Sequence, residues 1–148
     1  LVVADTSCLI IFHKINSIDI LKDTFKKVLI TDKVLDEFGD LPRWLEVRND
    51  YDLEAYHKFS KNFGPGESSC IALAQKIENP ILLLDDRRAK KVAQEIGIEC
   101  IGTLGVLLLA KREGVIEKIK PLIEQIKQTD FRLSDKIIEV VIRLAGEG

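Results

Sequence analysis

The chain has 148 residues, 46% hydrophobic and 31% charged, with a net charge of −2. That length suits a single domain, residues 1–148, which buries roughly two thirds of the surface its unfolded chain exposes and needs no staples. The charge excludes nucleic-acid binding through overall basicity, leaving only a local patch for that purpose, and no apolar run approaches the roughly eighteen residues of a membrane span.

The first predicted element is a strand, Leu1 to Ala4, followed by helical patterns at Ser7 to Ile15 and Ile18 to Phe25. A second strand, Val28 to Ile30, leads into a helix from Lys33 to Phe38, with Asp32 as its expected cap. Residues Leu41 to Phe63 carry scattered charge with weak periodicity and read as helical. After the turn-like Gly64-Pro65-Gly66 a helix runs from Glu67 to Ile77, and the breaker pair Asn79-Pro80 precedes a third strand, Ile81 to Leu84. The helix Arg87 to Ile96 places Ala89, Val92, Ala93 and Ile96 on one face and has Gly97 where a C-cap glycine belongs. A fourth strand, Ile98 to Ile101, is followed by helices at Leu104 to Arg112, Ile116 to Lys127 and Ser134 to Leu144, with Thr103 and Ser134 as expected caps of the first and last. The strands do not alternate, as parallel strands covered on both faces should not. The order predicts a right-handed, mostly parallel sheet flanked by helices.

Cys8, Cys70 and Cys100 are odd in number, form no C-x-x-C and sit among apolar neighbours. They read as buried thiols in a reducing, cytoplasmic compartment. No signal-peptide pattern follows Leu1, which stands where an initiator Met is absent.

In an open parallel sheet the ligand site lies beyond the carboxyl ends of the strands, where strand order reverses. Asp5 ends the first strand and Asp85-Asp86 the third, so both project from that edge; Glu67 and Glu37 lie on elements able to converge with them. Each acid has a structural explanation. Asp5 suits a helix cap, Glu67 a helix dipole, and Glu37 a solvated position four after Lys33. One of Asp85 and Asp86 suffices for a cap, so the other is surplus. Arg87, Arg88, Lys90 and Lys91 oppose the macrodipole of their helix at a cost of a few tenths of a kcal/mol, which is understandable if they hold phosphates.

Other chemistries fall away. His13 and His57 lack a zinc-hydrolase spacing, no phosphate-loop or dinucleotide fingerprint is present, and Ser7 stands where an aspartyl phosphatase would need a second Asp. No Ser or Cys has a credible His partner. An oxygen-only carboxylate cluster suits Mg²⁺ or Mn²⁺, which can generate a nucleophilic water for displacement at phosphorus.

Taken together, "VVADTSCLI", "VLDEF", "GPGESSCIALA", "LLLDDRRAKKVA" and "GTLGVLLLAK" resemble the PIN domain family, in order, from Leu1 to about Leu144, close to its prokaryotic branch of VapC-type toxins and uncharacterised relatives. The resemblance implies a three-layer α/β/α fold with a mostly parallel sheet of four or five strands. It also implies an Mg²⁺- or Mn²⁺-dependent endoribonuclease, with Asp5, Glu37, Glu67 and Asp86 as catalytic metal ligands. The family pattern selects Asp86 over Asp85, leaving Asp85 to cap the helix or pair with an arginine. Asp85, Thr6, Ser7 and Thr103 are expected around the ligands, with Thr6 or Ser7 orienting water or phosphate. RNA contacts are expected from Arg87, Arg88, Lys90 and Lys91. Toxin members further imply a homodimer and an antitoxin whose peptide reaches the acidic pocket. Two departures are Glu67, where many members carry Asp, and Leu84, where a Thr is often found. The apolar residues Val106 to Leu109, Val115, Ile116, Ile119, Ile123 and Ile126 also predict a dimer, exceeding what a small sheet can cover. The alternative is a PIN-like module that binds RNA or protein with little or no catalysis.

Overall fold

The computed structural model describes residues 1–148. Its framework is five short strands in one sheet: β1 (Val2–Ala4), β2 (Val28–Thr31), β3 (Glu46–Arg48), β4 (Ile81–Leu83) and β5 (Glu99–Ile101). They pair in the order β3-β2-β1-β4-β5, every pair parallel. β1 is central, with Val2 opposite both Val28 and Ile81. Chain order runs one way from β1 to β2 and the other way from β1 to β4, so the switch point lies between the carboxyl ends of β1 and β4.

The three central strands are almost wholly buried because their apolar runs have no solvent face. The edges differ. β3, the sequence Glu46-Val47-Arg48, exposes two of its three residues, and Lys27 pairs with Glu46 at 3.2 Å. An edge strand takes charge because only one side of it is paired, and charge there discourages further pairing. The expectation of helix across Leu41 to Phe63 is thus half wrong: it hides this fifth strand before a true helix at Leu53–Phe59.

Nine helices flank the sheet: α1 (Thr6–Lys14), α2 (Asp19–Phe25), α3 (Asp32–Phe38), α4 (Leu53–Phe59), α5 (Pro65–Gln75), α6 (Arg87–Glu95), α7 (Thr103–Arg112), α8 (Lys120–Lys127) and α9 (Asp135–Leu144). α5 packs on β1, β2 and β4 and against α3 and α4, while α7 packs on β5, α2 and α9. The result is a three-layer α/β/α arrangement around one core. Two expected caps move by one residue. Thr31, not Asp32, caps α3 by accepting from the Val34 amide at 3.2 Å, and Asp32 instead accepts from the Tyr51 hydroxyl at 2.7 Å. Gly102, not Thr103, precedes α7, and Thr103 turns its side chain toward Asp85. Ser134 does cap α9, and Gly97 has the positive φ of +87° that a C-cap requires. α8 begins later than expected, at Lys120, with Pro121 in the first turn, where a missing N–H costs nothing.

The apolar residues that suggested a dimer are covered by the chain itself. Val106, Leu107, Ile119, Ile123 and Ile126 are buried, and Leu108, Leu109, Val115 and Ile116 are half-buried. α9 packs on α7, and Glu147 pins that end by accepting from Lys111 Nζ (2.8 Å) and from the Ile119 and Lys120 amides (2.8 and 3.2 Å). Of the exposed large apolar residues, Ile137, Val140 and Leu144 lie on α9, and Leu1, Val47, Leu53 and Ile96 stand elsewhere. Cys8 and Cys70 are buried free thiols, whereas Cys100 is only half-buried. No helix is long and apolar enough to cross a membrane.

Candidate active site

A cavity of about 1070 Å³ opens at the switch point, and it collects Asp5, Glu37, Glu67 and the adjacent pair Asp85 and Asp86 from four separate stretches of the chain. Asp5 arrives on the end of β1. Its amide donates to Leu83 O of β4 at 3.0 Å, which locks the two strand ends together at the site. Although Asp5 occupies the cap position of α1, its carboxylate makes no capping bond, so the structural explanation for this residue fails. Burial first, then the Glu67 carboxylate and more weakly that of Glu37, push its carboxyl up to about 7, against the pull of the Thr6 and Ser7 amides.

Glu67 stands in the first turn of α5 and is half-buried. Burial, Asp86 and Glu37 raise its carboxyl, with Arg88 opposing. Glu37, exposed near the end of α3, is held by the Gly66 amide, which donates to Oε1 at 2.7 Å. Gly66 is a site residue that the sequence reading took only as part of a turn. A Cβ there would sit 2.7 Å from Glu37 Oε1 and 2.9 Å from Thr6 Oγ1, so only glycine lets α5 begin this close. Thr6 Oγ1 is buried and has no hydrogen-bond partner. Ser7 is exposed and also lines the cavity.

The adjacent aspartates divide their work differently from expectation. Asp86 caps α6 by accepting from the Ala89 amide at 2.9 Å. Asp85 neither caps that helix nor pairs with an arginine. It accepts from the Thr103 amide (2.8 Å) and the Thr103 hydroxyl (2.6 Å), fastening the turn after β4 to the start of α7. Gly102 permits this approach, since its Cβ would lie 2.8 Å from Asp85 Oδ1. Local pattern could not show the partner, because Thr103 is 18 residues away.

The basic run also splits. Arg87 and Lys90 line the cavity; Arg88 lays its guanidinium over the Phe63 ring, 5.6 Å from the centroid; Lys91 is exposed outside the lining. The cavity gains Arg132 from the segment between α8 and α9, a cation the sequence reading missed because nothing local ties it to the strand ends.

No three of the His, Cys, Asp or Glu side chains stand close enough to grip one ion directly. The donors are nevertheless all oxygen, they repel one another at Asp5 and Glu67, and an unpartnered hydroxyl lies beside Glu37. That set fits Mg²⁺ or a similar hard cation, which keeps several waters and takes one or two carboxylates directly.

A PIN domain family model matches residues 1–147. No curated protein and no solved structure matches the chain. The matched family has a nuclease-like fold and typically uses divalent metals. With the match running over nearly the full length, on a parallel sheet whose switch point gathers the acids, the chain belongs to the PIN domain family.

Proposed function

We propose that the chain is a metal-dependent endoribonuclease acting on RNA phosphodiesters. The observation that carries this reading is the meeting of Asp5, Glu37, Glu67 and Asp86 in one cavity beside Arg87 and Lys90. Asp5, Glu67, Glu37 and Asp86 would hold Mg²⁺ or Mn²⁺, which when bound supplies an activated water and charge neutralisation at phosphorus. Arg87 and Lys90 draw the substrate phosphates to the acids, which would otherwise repel them. Glu37, fixed through Oε1 by the Gly66 amide, leaves its other oxygen free to orient a water. Thr6 Oγ1 is free to donate to a water or a phosphate oxygen. Asp86 keeps one oxygen on its helix, and its other oxygen makes no hydrogen bond within the chain.

Cleavage of single-stranded RNA in Mg²⁺ or Mn²⁺ tests the reading. Activity should vanish in excess chelator and stay low in Ca²⁺, whose longer bonds and larger ligand number spoil in-line geometry. Equal rates with chelator present would refute the metal route. The second reading, an RNA- or protein-binding module with little turnover, is favoured by the spread of the acids, no three of which grip an ion as they stand. Tight RNA binding without cleavage in either metal would select it. The toxin form of the proposal adds a cytoplasmic location, a homodimer and an antitoxin peptide in the acidic cavity. Light scattering at micromolar concentration and assembly with a small protein encoded beside it are its checks.

A further inference from the structure

The cavity, about 1070 Å³, is larger than a phosphate and its ions require, and its lining is part acidic and part apolar. Beyond the acids it is walled by Ile101, by Leu104 and Leu108 of α7, and by Phe131, Leu133 and Ile137 of the segment entering α9. Arg132 opens on the same cavity and takes part in none of the ion pairs of the molecule. The Phe131 segment is fixed. Thr129 Oγ1 donates to Ile126 O at 2.6 Å and accepts from the Phe131 amide at 3.1 Å, and Asp130 pairs with Lys14 at 2.7 Å. A half-buried aromatic residue, packed against the core on one side, therefore lines the same cavity as the acids and the cations Arg87, Lys90 and Arg132.

We infer that, in a chain acting on RNA as proposed above, this apolar half receives one unpaired nucleobase stacked on Phe131, with Arg132 on an adjoining phosphate. A nucleotide joins a flat apolar ring to an anion a few bonds away, and this wall offers a flat ring next to an unpaired cation. Stacking on an aromatic side chain tightens binding by roughly tenfold per base and tolerates any base. A base inside a duplex is covered on both faces and cannot enter, so the pocket selects single strands or bases turned out of loops. An apolar peptide would use the same walls but would gain nothing from Arg132, Arg87 and Lys90, which favours the nucleic acid.

The test is fluorescence anisotropy with the full chain in chelator, where nothing is cut, using a short single-stranded oligoribonucleotide and the same strand with abasic residues. The unmodified protein should bind the intact strand about tenfold more tightly than the abasic one, following that stacking gain. Phe131→Leu keeps the apolar bulk but removes the flat face, so it should abolish that preference with little change in melting temperature. Phe131→Trp should retain it. Equal binding of intact and abasic strands by the unmodified protein, or an undiminished preference in a folded Phe131→Leu protein, overturns the base pocket. Cleavage by the unmodified protein in Mn²⁺, assayed separately, shows whether the ribonuclease reading stands or falls independently.

Discussion

The turns after β1 and after β4 look alike in sequence, each a buried apolar strand ending in aspartate, yet they treat their carboxylates in opposite ways. After β1, Asp5 is only 2% exposed, caps nothing, and faces other acids. After β4, Asp85 spends both oxygens on Thr103 and Asp86 spends one on the Ala89 amide. A carboxylate that satisfies a helix or a turn has a reason to exist without any ligand. One that is buried among other acids and pushed up to about 7, against the pull of two neighbouring amides, has no such structural reason. Asp5 is thus the acid that the fold itself explains least, whereas Asp86 caps a helix and lines the cavity at once.

The largest expected effect separates these turns directly. Asp5→Asn should lower RNA cleavage by at least ~100-fold, since it removes the most buried of the proposed ligands. It should also raise the stability of the metal-free protein. Because folding raises the Asp5 carboxyl from 3.8 to about 7, the folded state holds more protons between those values. Wild-type stability therefore falls as pH rises through that window and levels off above it. Asp5→Asn should lose most of this slope, keeping only the part due to the raised Glu67 carboxyl, and gain on the order of 2–4 kcal/mol at pH 8. Thermal melts across pH in chelator check it, and a wild-type profile flat from pH 4 to pH 8 would contradict the buried-charge account.

The second contrast lies within the pair after β4. Asp86→Asn keeps the helix cap, because Asn caps about as well, but removes the charge. It should lose nearly all cleavage and much Mn²⁺ affinity by calorimetry. Asp85→Asn can still accept from the Thr103 amide and donate to its hydroxyl, so it should keep most of both. Asp85→Ala leaves the Thr103 donors unpaired and should destabilise the fold by about 2–3 kcal/mol. If Asp85→Asn proves the more damaging to Mn²⁺ binding, the assignment of roles is reversed.

Smaller effects sharpen the same contrast. Gly66→Ala should push the Glu37 carboxylate from its place and crowd the buried Thr6 hydroxyl, a local strain at the start of α5 rather than a loss of the core. Cleavage should drop roughly tenfold, by analogy with the cost of disturbing the groups that hold a metal ligand, and near-equal melting temperatures would separate this from unfolding. Changing Arg87 and Lys90 together to Gln should weaken binding across sequences and flatten its salt dependence by about 1.4 logarithmic units, for two contacts on a single strand. An unchanged slope would place the phosphate contacts elsewhere, with Arg88 and Lys91 the next to test.

Much of this molecule was legible in the order of residues. The central strands announced themselves as unbroken apolar runs, and the helix order implied the parallel sheet, because these features depend on neighbours within a few positions. The strand-final aspartates marked the site edge for the same reason. β3 escaped because Glu46-Val47-Arg48 is a charged edge whose pairing with β2 is a tertiary fact. The grip of Asp85 on Thr103, the hold of the Gly66 amide on Glu37 and the entry of Phe131 and Arg132 into the cavity join residues far apart in the chain. Sequence by itself determined which side chains could carry charge to the sheet edge. Only the packed structure decided which of those charges were already spent on the backbone, because hydrogen bonds and desolvation depend on what the fold brings alongside.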